Sequence, residues 1–249
     1  MTRHSVLLLA LLSACSSNTV APAPGDASVT DAAPDASTDA ASDTATDASR
    51  DAVTDAASGA FTATPYLSDV PERAFTEADM VLVAGRDYRA VIETDVGRIV
   101  LDLYEDRTPV TVNSFVFLAR HHFFDGLAFH RVIDGFVAQG GDPNTATENR
   151  AAWGRGGPGY MFDTETVDGL GFDGPGVLGM ARSTARNTNG SQFFITLAAT
   201  TSLDGQYTVF GRVTEGAEVL GRIARNATMT TPPTTPTRMT RVAIEERAR

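Results

Sequence analysis

The sequence predicts a mainly β fold, a closed antiparallel barrel with an α-helix over each open end, preceded by a long segment of low complexity. Short apolar segments recur between residues 128 and 244 and are separated by glycine-rich turns, a pattern typical of successive short strands. A β-hairpin pattern precedes them, and only two segments have helical periodicity. Many short strands with two helices favour a barrel whose ends the helices cover.

The strands are expected to begin with a hairpin. Residues 89–94 and 98–104 alternate apolar and polar side chains around Asp95-Val96-Gly97, as two strands joined by a tight turn do. The further strands are expected at residues 128–131, 136–139, 177–181, 192–197, 208–213 and 241–244.

Two segments carry helix signals. Thr108 and Pro109 are suited to the N-cap and the first helical position. Apolar residues then follow at helical spacing, which predicts one buried face: Val112, Phe115, Val116 and Ala119. A second helix is expected after Thr214, with an apolar face made of Val219, Leu220 and Ile223.

The N-terminus resembles that of a bacterial lipoprotein. The apolar run at residues 6–12 follows Arg3 and is too short to span a bilayer, which takes about 20 residues. Leu12-Ser13-Ala14-Cys15 resembles a lipobox, which implies a signal peptide over residues 1–15 and lipid attachment at Cys15. By analogy, Ser16 favours anchoring at the outer membrane, with the periplasmic and surface sides both open. The only expected contact with the membrane is the lipid.

The composition of residues 16–60 predicts a disordered tether. They consist mainly of Ala, Asp, Ser, Thr and Pro, and an aspartate recurs every fourth residue from 31 to 55. Like charges at this spacing repel one another on a helix, and the segment has too few large apolar residues to form a core. Residues 61–85 have mixed signals and form an extension that either wraps the barrel or covers a groove. The folded domain is expected at residues 86–249.

Charge and histidine content narrow the possible functions. The formal net charge is −11 and all 20 basic residues are arginine, which argues against nucleic-acid binding because that needs a basic face. His121 and His122 follow the first helix and are expected to be exposed, so no metal site is expected there, and His130 is given a structural role. Nothing in the sequence resembles a coiled coil or repeat array, and a monomer is expected.

Arg131 is the residue that most needs an explanation. It lies in the apolar stretch FHRVIDGFVAQGGDP at residues 129–143, and no acidic residue follows it before Asp134. A guanidinium cannot lose its charge and is almost never fully buried without a partner. Either Arg131 extends from a strand edge to solvent, or its charge has a function in an apolar groove.

Several motifs in register with this stretch resemble the cyclophilin family of peptidyl-prolyl cis-trans isomerases. They are GRGGPGY at 154–160, LGMARS at 178–183, NTNGSQFFITLA at 187–198 and LDGQYTVFGRV at 203–213. The resemblance runs from about residue 88 to 244. It implies an eight-stranded barrel capped by two helices, with an active groove on its outer face.

The resemblance also implies a role for each matching residue. Arg131 matches the catalytic arginine. The walls of the proline pocket are matched by Phe136, Val137, Phe194 and Leu203, and the polar lining of the groove by Gln139 and Gln192. Ala181 and Arg182 fall where the substrate backbone binds, and Tyr207 falls where many members have histidine. The expected substrates are proline-containing polypeptides, and no cofactor or metal is implied.

Physical chemistry favours this use of an arginine. Rotation about an X-Pro bond is opposed by about 18–20 kcal/mol because the nitrogen lone pair is delocalised into the carbonyl. The twisted bond localises that lone pair, so a fixed donor aimed at the nitrogen binds the transition state better than either planar state.

The sequence therefore predicts a lipid-anchored prolyl isomerase that assists the folding of envelope or secreted proteins. The alternative is a non-catalytic lipoprotein that binds proline-containing peptides in the same groove. The presence of Arg131, Phe136, Gln139 and Phe194 favours the enzyme. Arg182 either favours acidic peptides or pairs with a nearby carboxylate, and the sequence leaves both open.

Overall fold

A computed structural model describes residues 59–226, 228 and 231–249. The strands are β1 (Thr62–Ala63), β2 (Arg86–Thr94), β3 (Gly97–Leu103), β4 (Arg131–Ile133), β5 (Val137–Gly140), β6 (Val177–Met180), β7 (Phe193–Thr196), β8 (Val209–Glu215) and β9 (Met239–Ala248). One α-helix, α1 (Pro109–Arg120), follows β3. The expected signal peptide, Cys15 and residues 16–58 of the tether lie outside the described residues.

The strands form one antiparallel sheet in the order β1-β9-β2-β3-β8-β6-β7-β5-β4. Each expected strand segment overlaps one of β2–β9, although residues 128–131 share only Arg131 with β4. The extension adds β1, so the expected count of eight is wrong. The expected closure is wrong as well, because β1 pairs with the edge of β9 and β4 ends the opposite edge. An isolated bridge between Ala128 and Arg238 links the residues just before β4 and β9.

The expected second α-helix is not formed. Thr214 lies within β8, and Gly216, with a φ of 79°, ends the strand in a left-handed conformation. A five-residue 3-10 helix, Ala217–Gly221, follows and buries Val219 and Leu220. Two residues of the expected apolar face are thus buried by this tighter helix, and Ile223 is buried just after it.

The first helix is present, but its N-terminus is not capped as expected. The Thr108 side chain makes no capping hydrogen bond to the helix. Instead Glu165, from a distant loop, accepts the N–H groups of Val110 and Thr111 at 3.2 and 2.7 Å. These N–H groups lack partners inside a helix, and a carboxylate is favoured at the positive end of the helix dipole.

The extension wraps the barrel on the helix side. Asn113 of α1 accepts the N–H of Val81 at 2.8 Å and donates to the carbonyl of Asp79 at 3.0 Å. Every residue of the helix from Thr111 to Ala119 is therefore buried, whereas the sequence predicted a single buried face. The extension supplies the cover that the sequence pattern of the helix does not reveal.

The expectation that His121 and His122 are exposed is wrong, since both are partly buried. Tyr66 of the extension stacks on His122 with 3.8 Å between ring centroids, and Phe75 meets His121 edge-on at 5.0 Å. The extension causes this burial too.

Strand alternation gives the sheet two apolar faces. In β7, Phe193 points into the barrel and joins the main core, whereas its neighbour Phe194 belongs to a separate cluster. In β5, Ala138 likewise belongs to the main core, and Val137 belongs to the separate cluster. Because successive side chains of a strand point to opposite faces, the strands that fill the core also build an apolar surface outside it.

Candidate active site

The separate apolar cluster outside the barrel contains the wall residues expected from the sequence. Its buried members are Val137, Phe172, Val177, Phe194 and Val209, and its partly buried members are Tyr104, Phe136, Leu170, Ala181, Leu203 and Tyr207. Residues far apart in the chain, from Tyr104 after β3 to Val209 in β8, thus meet on one surface. The structure brings these expected residues together, although their roles stay predictions.

Phe194 forms the centre of this surface. Phe172 packs against it with 5.3 Å between ring centroids, and Tyr207 meets it edge-on at 6.0 Å. A Cβ atom on Gly179 would lie 2.4 Å from Cζ of Phe194, so only glycine at this position of β6 lets the ring lie against the backbone. Phe172, which is fully buried, was not predicted as a pocket residue because it lies in a loop without periodicity.

Arg131 lies at the start of β4, directly opposite Gln139 of β5. Its Nη1 donates to Oε1 of Gln139 over a long 3.4 Å, and its Cζ lies 5.4 Å from the centroid of the Phe136 ring. No carboxylate in the described part of the chain forms an ion pair with it. Burial lowers the pKa of Arg131, and the nearby Tyr207 opposes this shift. The guanidinium remains charged at neutral pH because its ordinary pKa is so high.

Two glutamines fix the groups around the arginine. Nε2 of Gln139 donates to Oε1 of Gln192 at 3.0 Å, and Nε2 of Gln192 donates to the carbonyl of Gly156 at 2.9 Å. This chain of bonds orients the Gln139 amide so that its oxygen faces Arg131. Amide dipoles can hold a guanidinium in place without neutralising it.

A buried carboxylate supports the far end of this chain of bonds. Asp142 is fully buried and accepts the N–H groups of Asn144 at 2.9 Å, Gly156 at 3.1 Å and Gly154. A Cβ atom on Gly156 would lie 2.2 Å from Oδ1 of Asp142, so the loop folds tightly around the carboxylate. The motif alone does not reveal this contact between the glycine loop and Asp142, and Asp142 was not predicted as part of the site.

His130 packs beneath the same loop. It is buried, and a Cβ on Gly154 would lie 3.8 Å from its ring. Burial lowers the pKa of His130, while the charge of Asp142 opposes this shift. The ring lies beside the loop, and the side chain of Gln192 and the charge of Arg131 also affect its pKa. Its structural role stays a prediction.

Arg182 forms no ion pair with any described carboxylate, so that alternative is not realised. Its guanidinium donates to the carbonyls of Ser183, Thr184 and Gln206 at 2.8–2.9 Å. Its Cζ also lies 4.6 Å from the centroid of the Tyr207 ring. Arg182 thus joins the loop after β6 to the loop before β8 and keeps an uncompensated charge at the edge of the groove.

The fold and this surface define a class of protein: an antiparallel β protein with an outer apolar pocket and, beside it, an arginine that has no carboxylate partner among the described residues and is positioned by a glutamine. The family model described as "Cyclophilin type peptidyl-prolyl cis-trans isomerase/CLD" matches residues 89–244. The chain therefore belongs to the cyclophilin-type peptidyl-prolyl cis-trans isomerases, and its activity is that of this enzyme class.

Related proteins agree with this assignment. The chain is 46% identical over 136 residues to "Peptidyl-prolyl cis-trans isomerase-like 1" of Rhizopus delemar, covering 53% of this chain and 78% of the relative. It is 47% identical over 135 residues to "Peptidyl-prolyl cis-trans isomerase ppi1" of Schizosaccharomyces pombe, covering 53% and 82%.

A solved structure is also similar. A cyclophilin-type isomerase of Cryptosporidium parvum, crystallised in the presence of the dipeptide Ala-Pro, matches with a TM-score of 0.57 and 31% identity. The match covers 63% of this chain and 98% of that chain.

The buried His130 makes stability depend on pH. Its folded-state pKa lies below its ordinary value of 6.5, so between these two values the unfolded chain binds the proton more readily. The stabilising contribution is therefore present above about pH 6.5 and decreases as the pH falls below it. We expect the free energy of unfolding of the wild type, minus that of His130→Gln, to decrease between about pH 7 and 5. Urea denaturation at each pH measures this difference in the free energy of unfolding. A difference that stays constant or grows as the pH falls would contradict the lowered pKa of His130.

Proposed function

We propose that the protein accelerates rotation about X-Pro bonds in envelope or secreted proteins, and that Arg131 acts by stabilising the twisted imide nitrogen above the apolar pocket. The observation that carries the proposal is a partly buried arginine with a glutamine, and no described carboxylate, as its partner. A counter-ion would weaken its attraction to a developing lone pair.

The surroundings of Arg131 make its charge effective. Electrostatic attraction is stronger where the local dielectric constant is low, and the ring of Phe136 shields one side of the guanidinium. A preorganised donor needs no reorganisation as the bond twists. Arg131 therefore favours the twisted state over both planar states, and this difference lowers the barrier.

The pocket would hold the proline ring while the bond rotates. The side chains of Phe136, Phe194 and Leu203 form an apolar surface against which a proline ring can pack. Nε2 of Gln139 has two hydrogens, and one of them is donated to Gln192. The other can bind the carbonyl of the residue that precedes the proline.

Arg131→Ala tests the catalytic assignment. We expect the full chain to accelerate isomerisation of an Ala-Pro tetrapeptide, and the variant to lose about 10²–10³-fold in kcat/KM, as removal of one transition-state donor does. Arg222→Ala is the matched control, because Arg222 is more than half exposed and pairs with Glu218. Peptide binding by the wild type without turnover would instead support the non-catalytic alternative.

The lipid anchor is proposed on the sequence alone. The lipobox-like residues before Cys15 support it. A chain attached through Cys15 and a tether of residues 16–60 would place the domain among envelope or secreted proteins.

Cys15→Ser tests this anchor. In a bacterial host supplied with labelled palmitate, we expect the wild type to carry the label and to sediment with membranes, and the variant to be unlabelled and released. An unlabelled wild type in the soluble fraction would refute the anchor without affecting the isomerase assignment.

A further inference from the structure

We propose that the groove selects segments with an acidic side chain at the second residue before the proline. This inference rests on the isomerase function proposed above and adds a substrate class to it. The inference is based on arginines in the two loops that form hydrogen bonds with Gln192.

The position of these arginines follows from the contacts of Gln192. Its side chain donates to the carbonyl of Gly156, and its own backbone carbonyl accepts the N–H of Ala181 at 2.9 Å. Arg155 directly precedes Gly156, and Arg182 directly follows Ala181. Each of the two arginines is therefore adjacent in sequence to a residue that forms a hydrogen bond with Gln192.

A third arginine lies on the same loop as Arg182. Arg186 donates to the carbonyl of Gly205 and to Oγ1 of Thr166, both at 3.3 Å. These bonds hold the loop after β6 against the loop that carries Leu203 and Tyr207. Arg182 and Arg186 are thus both bonded to the loop whose Leu203 and Tyr207 belong to the apolar cluster.

The charges of these arginines are not compensated by described residues. Arg182 and Arg186 donate only to neutral oxygens, and Arg155 is exposed without a hydrogen bond in the described part of the chain. A carbonyl accepts a hydrogen bond but does not cancel a charge.

Some arginines of the domain are paired with carboxylates, whereas others, such as Arg107 and Arg150, also donate to backbone carbonyls. Examples of the paired arginines are Arg89 with Glu245 at 2.6 Å, Arg225 with Asp134 at 2.7 Å and Arg247 with Asp87 at 2.9 Å. The chain has a formal net charge of −11, yet it leaves positive charge at the groove. The carboxylate of Asp204, beside the pocket wall, accepts the N–H of Phe172 at 2.7 Å and forms no ion pair with a described arginine.

The proposed pose sets the direction of the bound chain. With the proline ring on Phe194 and the preceding carbonyl at Gln139, the residues before the proline pass over Gln192, which is bonded to Gln139. An acidic side chain in this part of the substrate lies between the loops of Arg155 and Arg182. Exposed charge pairs contribute little individually, about two- to fivefold in affinity, and salt screens them.

Three tetrapeptides that differ only at the second residue before the proline, with Glu, Gln or Lys, test the proposal on the full chain. At low salt we expect kcat/KM for the Glu peptide to exceed that for the Lys peptide by about tenfold, and the ratio to fall towards one near 1 M NaCl. Arg155→Gln should reduce the Glu-to-Lys ratio about threefold. Arg155→Lys should retain it, and so should the control Arg222→Gln, since that arginine is already paired.

Each contrary outcome has a distinct meaning. Equal kcat/KM for the Glu and Lys peptides, with the Gln peptide turned over efficiently, would overturn the acidic preference and leave the isomerase intact. A Glu preference that survives both Arg155→Gln and Arg182→Gln would overturn the assignment to these arginines. No turnover of any of the three peptides would overturn the proposed function itself.

Discussion

A charged guanidinium held in an apolar groove without a carboxylate is the interaction on which the rest of the site depends. Removing an ion from water is costly, and most buried charges are paired for that reason. Here Arg131 keeps its charge beside Phe136 and is positioned by the amide oxygen of Gln139. A neutral acceptor satisfies a donor while leaving the charge free to act on a substrate.

The surrounding structure serves to hold that amide. Gln192 orients Gln139, the loop around Gly156 orients Gln192, and the buried Asp142 fixes the loop. Only the last member of this chain, Asp142, is charged. Its carboxylate accepts hydrogen bonds from backbone N–H groups. The negative charge of Asp142 is therefore kept away from the arginine by two glutamine side chains.

The sheet contributes by presenting two apolar faces at once. The ring of Phe193 fills the barrel, and its neighbour Phe194 forms the outer pocket. The extension covers α1 and β9, and none of its described hydrogen bonds reaches Arg131, Gln139 or Gln192. One face of the sheet therefore packs in the stabilising core, and the other face carries the pocket that is open to ligands.

Local sequence patterns predicted the strands and α1 well, because alternation and helical spacing are short-range signals. They failed where distant segments decide the outcome. Glu165 caps α1 from 54 residues away, β1 occupies the edge of β9 that closure would need, and Phe172 reaches the pocket from an irregular loop. The motifs identified the groove residues, but the hydrogen-bond chain from Asp142 to Arg131 depends on loop conformations that a sequence pattern does not specify.

The most direct test of the central claim supplies the missing counter-ion. Gln139→Glu places a carboxylate where the amide oxygen now faces Arg131 at 3.4 Å, and Gln139→Met removes the hydrogen bond without adding charge. If the uncompensated charge drives rotation, both variants lose activity on an Ala-Pro tetrapeptide. The kcat/KM of the Glu variant is then about tenfold or more below that of the Met variant. A Glu variant as active as the wild type would contradict the account.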